Sequence, residues 1–121
     1  MSINLELATM VDETLAEHLA SPVERTQDAL IVHLSNGVSI TVHYAEPDAY
    51  SMRWTANGQQ AGIDTAPLHR DLATFPNHMH DSAGQLGPDP LTSPNHHPTE
   101  NLRRLITALI DNPALGSTLA S

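Results

Sequence analysis

Two Asn-Gly pairs, Asn36-Gly37 and Asn57-Gly58, each stand between segments in which apolar and polar side chains alternate. Asn-Gly favours the left-handed backbone of a two-residue type I′ turn, which joins antiparallel strands and fixes their register. Residues 26–66 are therefore expected to form two hairpins, joined through residues 45–49 into a four-stranded antiparallel meander.

A two-residue turn at Asn57-Gly58 sets Ala56 opposite Gln59, Trp54 opposite Ala61 and Met52 opposite Ile63. Tyr50 joins this apolar face, while Ser51, Arg53, Gly62 and Asp64 occupy the other. Arg53 then lies directly across from Gly62 and diagonal to Asp64, within reach of a surface ion pair. The same turn at Asn36-Gly37 sets Ser35 opposite Val38, His33 opposite Ile40 and Ile31 opposite Val42. His33 is thereby expected on the core side, with Ala29 and Tyr44, as a hydrogen-bonded core histidine.

Helices are expected on either side of the hairpins. In residues 5–20, Leu7, Met10, Val11, Leu15 and Leu19 recur at helical spacing. His18 falls at the edge of that stripe, as a partly exposed helix residue. Residues 98–111 carry a second stripe of Leu102, Leu105, Ile106, Leu109 and Ile110. Pro98 suits the first helical position, Glu100 the first turn, and Pro113 ends the helix. The expected whole, residues 1–121, is one α+β domain, a common domain size. Between the sheet and the last helix, residues 67–97 hold most of the prolines and no periodic pattern, and read as a long loop whose stretch 81–95 is mobile.

Composition narrows the chemistry. With no cysteine there is no thiolate nucleophile and no Cys-ligated zinc. No apolar run approaches the ~20 residues that cross a bilayer. The acidic N-terminal stretch lacks the pattern of a signal peptide, so a cytoplasmic location is expected. The net charge is −9, and all five cations are arginines: Arg25, Arg53, Arg70, Arg103 and Arg104. Such an acidic, lysine-free surface fits either an ordinary acidic protein or a halophilic one adapted to concentrated salt. At ~1 M salt the Debye length falls to ~3 Å, and bulk charge would then veto little, even a nucleic acid.

Of the eight histidines, His69, His78, His80, His96 and His97 fall in or at the end of the loop segment. In an extended chain, His78 and His80 project to the same side. His96 and His97 stand at the start of the last helix, whose dipole favours the neutral ring. Three uses of these side chains compete. His69, His78 and His80, with Asp64 or Asp71, suit a divalent metal such as zinc. Two of the imidazoles suit acid and base work on a phosphodiester, with Arg53 or Arg70 steadying the charge that develops. Or they are structural and binding residues of the loop.

The segment Asp64-Thr-Ala-Pro-Leu-His69, followed by Thr74-Phe-Pro-Asn-His-Met-His80, resembles the signature of the TumE-like toxin family of prokaryotic type II toxin–antitoxin systems. Asp64, Ala66, Pro67, His69, Phe75, Pro76, His78 and His80 match its usual pattern. Gly62 stands where that pattern has an arginine, Leu68 and Asn77 where it has histidines, and Met79 where it has a lysine. Arg53, facing Gly62, is expected to bring its guanidinium to the place of the missing arginine. The resemblance implies a small toxin acting on RNA and neutralised by an antitoxin. Apart from the resemblance, a second copy of the chain is a further candidate partner. His69, His78 and His80 would then serve as acid, base or metal ligand, Asp64 as an orienting carboxylate and Arg53 as a phosphate contact. The alternatives are a non-catalytic interaction module and a small metal-binding protein.

Overall fold

A computed structural model describes residues 2–66 and 75–116. Its elements follow the order α1 (Ile3–Thr14), β1 (Glu24–Arg25), β2 (Leu30–His33), β3 (Ser39–Glu46), β4 (Ala49–Ala56), β5 (Gln59–Asp64), β6 (His78–His80), β7 (Leu86–Pro88) and α2 (Pro98–Asp111), with a 3-10 turn at Ala16–His18. Among the described residues seven strands form one antiparallel sheet in sequence order. The α+β class holds, and the meander is longer than the expected four strands.

The second hairpin has the expected register. Asn57 and Gly58 both adopt positive φ, 53° and 78°, the signature of a type I′ turn. Arg53 pairs with Gly62, Trp54 with Ala61 and Met52 with Ile63.

The first hairpin is slipped by one residue. His33 pairs with Ser39 and Val32 with Ile40. Only Gly37 takes positive φ, at 93°, and the Leu34 amide donates to the Val38 carbonyl across a three-residue loop. That is the type I turn with a bulged glycine, the next commonest hairpin loop. The Asn36 side chain is engaged elsewhere: its amide donates to the Leu109 carbonyl in the last turn of α2, and its oxygen accepts from the Val38 amide. Leu109 thus gains a partner for a carbonyl near the helix end, where carbonyls lose theirs.

A one-residue slip turns every side chain of a strand over. The core side of β2 is therefore Leu30 and Val32, both fully buried, and Ile31 and His33 face the other way. His33 is not a core histidine. It sits partly exposed on the polar face, bonded to the Ser39 hydroxyl and to Glu24.

The first helix starts and stops earlier than residues 5–20. The Ser2 hydroxyl accepts from the Leu5 amide and caps it, and Leu15 leaves helical geometry at φ −123°. Leu19 instead bridges to Leu34 beside the sheet. The stripes Leu7, Ala8, Val11 and Leu102, Leu105, Ile106, Leu109 share one core with the apolar face of the sheet. Burying each large aliphatic side chain contributes about 1.5–3 kcal/mol. The second helix spans the expected residues, with Pro98 in its first turn and His97 as its N-cap.

The segment expected to be loop contributes two strands. Asp81 organises the turn between them, its carboxylate accepting from the amides of Ala83 and Gln85, while Gly84 supplies a φ of 81°. After β7, the buried Asp89 carboxylate accepts from the amides of Leu91 and Thr92 and from the side chains of Thr92 and Asn77. Tyr50 donates to or accepts from Thr92 at 2.7 Å and receives the Asn77 amide at 2.7 Å. Tyr50 stacks on Tyr44 at 4.7 Å between ring centres, and Asn101 of α2 donates to the Tyr44 hydroxyl. Burial pushes both phenols above their ordinary value, more strongly than the bonds from Asn101, Thr92 and Asn77 pull them down. They stay neutral hydroxyls, able to donate and to accept. Residues 81–95, expected to be mobile, are thus tied to the sheet and to α2 by buried hydrogen bonds.

Candidate functional site

Both described helices lie against the apolar side of the sheet. The opposite face carries Ser39, Thr41, His43, Ser51, Arg53, Thr55, Gln60 and Asp64, and among the described residues no helix covers it. The addition of β6 extends this face by one strand. Asp64 pairs with His78 and Gly62 with His80, so period-two alternation puts both imidazoles beside Asp64 and turns Met79 into the core.

The three side chains form a chain of contacts. His78 Nε2 lies 2.9 Å from Asp64 Oδ1, and His80 Nε2 lies 3.5 Å from Asp64 Oδ2. The carboxylate therefore bridges the two rings, whose centres stand 4.8 Å apart at 73°. The Ala66 amide donates to Asp64 Oδ1 at 2.9 Å and fixes the carboxylate from the loop side. His78 Nδ1 lies 3.3 Å from the Pro76 carbonyl. A carbonyl only accepts, so Nδ1 carries the proton of that bond and Nε2 is the atom presented to Asp64.

Exposure separates their roles. His78 is buried at 1%, so it holds Asp64 from behind and meets no substrate. The side chain of His80 is 42% exposed and Asp64 27%, so these two reach solvent. A cleft of about 260 Å³ opens beside them, lined by Arg53, Gln60, Gly62, Asp64, His80 and Asp81. A Cβ built on Gly62 would come within 3.2 Å of Arg53 Cγ, so the arginine stem lies over the glycine. The absence of a side chain at Gly62 is what lets Arg53 lie across the strand towards the cleft. The expected ion pair between Arg53 and Asp64 does not form: among the described residues Arg53 makes no ion pair, and its charge faces the cleft and the open sheet.

Of the predicted site residues, Asp64, His78, His80 and Arg53 come together on one face. His69, Arg70 and Asp71 lie outside the described residues. His96 and His97 belong to the start of α2. His97 Nδ1 accepts from the Thr99 amide as the helix cap, and its Nε2 lies 3.2 Å from Glu6 of α1. His43, passed over in the sequence because no second histidine stands near it, is exposed on the polar face one strand beyond Arg53.

The fold and the site define a small two-layer α+β protein that presents imidazole, carboxylate and guanidinium groups on the sheet face opposite its described helices. Over residues 5–112 the chain matches the profile of the toxin TumE family, and it belongs to that family. No curated protein matches it, and no solved structure does. The departures from the family's usual pattern at Asn77 and Met79 both fall away from the site: Asn77 serves the buried network, and Met79 packs in the core. Among the described residues Gly62 is the departure on the site face, and Arg53 lies over it; Leu68 lies outside the described residues.

Proposed function

We propose that this chain acts as the toxin of a toxin–antitoxin pair by cleaving RNA on the open face of its sheet. Membership of a toxin family supports the toxin role and implies an antitoxin partner. The observation that carries the RNA reading is the Asp64 carboxylate bridging His78 and His80 beside a cleft that Arg53 also lines. In this reading Arg53 meets the non-bridging oxygens of a phosphodiester. His80 takes the proton of the 2′-hydroxyl as that oxygen attacks phosphorus, and the P–O5′ bond breaks with protonation of the leaving oxygen by water or a second imidazole. A cyclic phosphate and a 5′-hydroxyl result. Asp64 orients His80 and stabilises its protonated form, and His78 positions Asp64. Among the described residues no helix is long and apolar enough to cross a membrane, and the acidic, lysine-free composition suits a salt-rich interior where phosphate repulsion is screened.

A non-catalytic interaction module is the second reading. It is favoured by Phe75 and Leu86, which are 40% and 42% exposed at and beside the β6–β7 end of the sheet.

Inducible expression with and without Arg53→Ala, followed by incubation of the purified proteins with single-stranded RNA, separates the two. The expected outcome is growth arrest by the parent chain and an RNA cleavage rate about 10²–10³-fold lower in the variant, the usual loss when a charge-stabilising donor is removed. Undiminished arrest by Arg53→Ala would remove the phosphate role, and a parent chain that leaves RNA intact would favour the interaction module.

A further inference from the structure

We infer that Asp64, His78 and His80 form a binding site for one divalent transition-metal ion of the zinc type, with two nitrogen ligands, one carboxylate and an open position. One ligand atom from each of the three residues lies within 4.8 Å of the others. Ligand bonds of ~2.0–2.1 Å at tetrahedral angles put neighbouring ligand atoms about 3.3 Å apart. His78 Nε2 lies 2.9 Å from Oδ1 and His80 Nε2 3.5 Å from Oδ2, so each imidazole meets its own oxygen of the shared carboxylate at about this spacing. Rotation of the half-exposed His80 ring closes the remaining gap.

The surroundings of the ligands point the same way. Metal-binding histidines characteristically donate their other ring nitrogen to a carbonyl or carboxylate, which fixes the tautomer and aims the lone pair. His78 does this through Nδ1 and the Pro76 carbonyl. The carboxylate ligand is likewise held, by the Ala66 amide. His78 is supplied from a buried position and His80 from the rim, so the fourth position opens towards the cleft lined by Arg53. A water or phosphate oxygen can complete the sphere there. No thiolate is present, and nitrogen and carboxylate ligands suit zinc over the softer copper(I) ion.

The inference rests on the same residues as the proposed RNA chemistry and can be separated from it. An ion takes the Nε2 lone pair of His80, so a zinc-loaded chain is expected to cleave RNA more slowly than the metal-free chain. Tag-free protein, dialysed against chelator and titrated with zinc by calorimetry, is expected to bind one equivalent with micromolar or tighter affinity. Its melting temperature should rise with zinc. Asp64→Asn and His80→Ala should each weaken binding at least tenfold, while His43→Ala leaves it unchanged. No stoichiometric binding, or binding that survives both Asp64→Asn and His80→Ala, would overturn the ion site. A chain that binds zinc but does not cut RNA supports the site and removes the nuclease reading; a chain that cuts RNA without zinc affinity does the opposite. Cleavage accelerated by zinc would keep the site and overturn the proton-transfer role given to His80.

Discussion

Replacing Asp64 by asparagine is expected to lower RNA cleavage by about 10²–10⁴-fold and to relieve growth arrest, with little loss of stability. The asparagine oxygen can still accept from the Ala66 amide, so the loop keeps its anchor. What disappears is the negative charge that both imidazoles face. His78 loses the carboxylate its Nε2 contacts, and His80 loses the group that fixes its ring and stabilises its protonated state. The melting temperature should move by no more than a few degrees, because Asp64 is partly exposed and its backbone bonds are unchanged. His80→Gln is the companion variant, since it removes proton transfer and leaves Asp64 and His78 in place. Full growth arrest by both variants would show that the bridged cluster is not the working site.

Asp89→Ala is expected to destabilise the fold by about 3–5 kcal/mol, the scale for removing one partner of a buried charged network. The amides of Leu91 and Thr92, the Thr92 hydroxyl and the Asn77 amide all donate to this one buried carboxylate. Alanine leaves those donors unpaired inside the protein, and each buried unpaired group costs about 1–3 kcal/mol. Domains of this size hold only ~5–15 kcal/mol in total, so the variant should unfold at a much lower urea concentration. Asp89→Asn, which keeps both Oδ1 bonds, should cost markedly less. A loss under ~1 kcal/mol for the alanine variant would mean that the network adds little to holding residues 89–93 against the sheet.

This network is also where sequence reading stopped short. The second hairpin could be read because Asn57-Gly58 turns use backbone conformation alone, so Arg53, Gly62 and Asp64 took their places on the polar face without tertiary help. Asn36-Gly37 looks identical in sequence, but its asparagine bonds to Leu109 from a helix more than seventy positions away. That long-range contact accompanies a different turn and a register slip, which inverted the expected faces of β2. His78 and His80 were recognisable as a same-side pair because alternation is local. Their partner strand was not, because three-residue strands carry almost no periodic signal and pair only when Asp81 and Asp89 organise the turns around them. Both aspartates are turn formers whose side chains accept from amides two to four residues on, a signal present in the sequence at Asp81 through Gly84 and at Asp89 before Pro90. The metal-like grouping depended on that pairing: Asp64 and His78 are neighbours only because β6 adds to β5.

The measurement that bears most directly on the site is ultraviolet crosslinking of a short 4-thiouridine RNA to the Asp64→Asn chain, with the modified peptides identified by mass spectrometry. Crosslinks concentrated on β3 to β6, at peptides carrying His43, Arg53 and His80, are the result expected if the open sheet face holds the RNA. Crosslinks confined to α1 and α2, on the far side of the sheet, would contradict it.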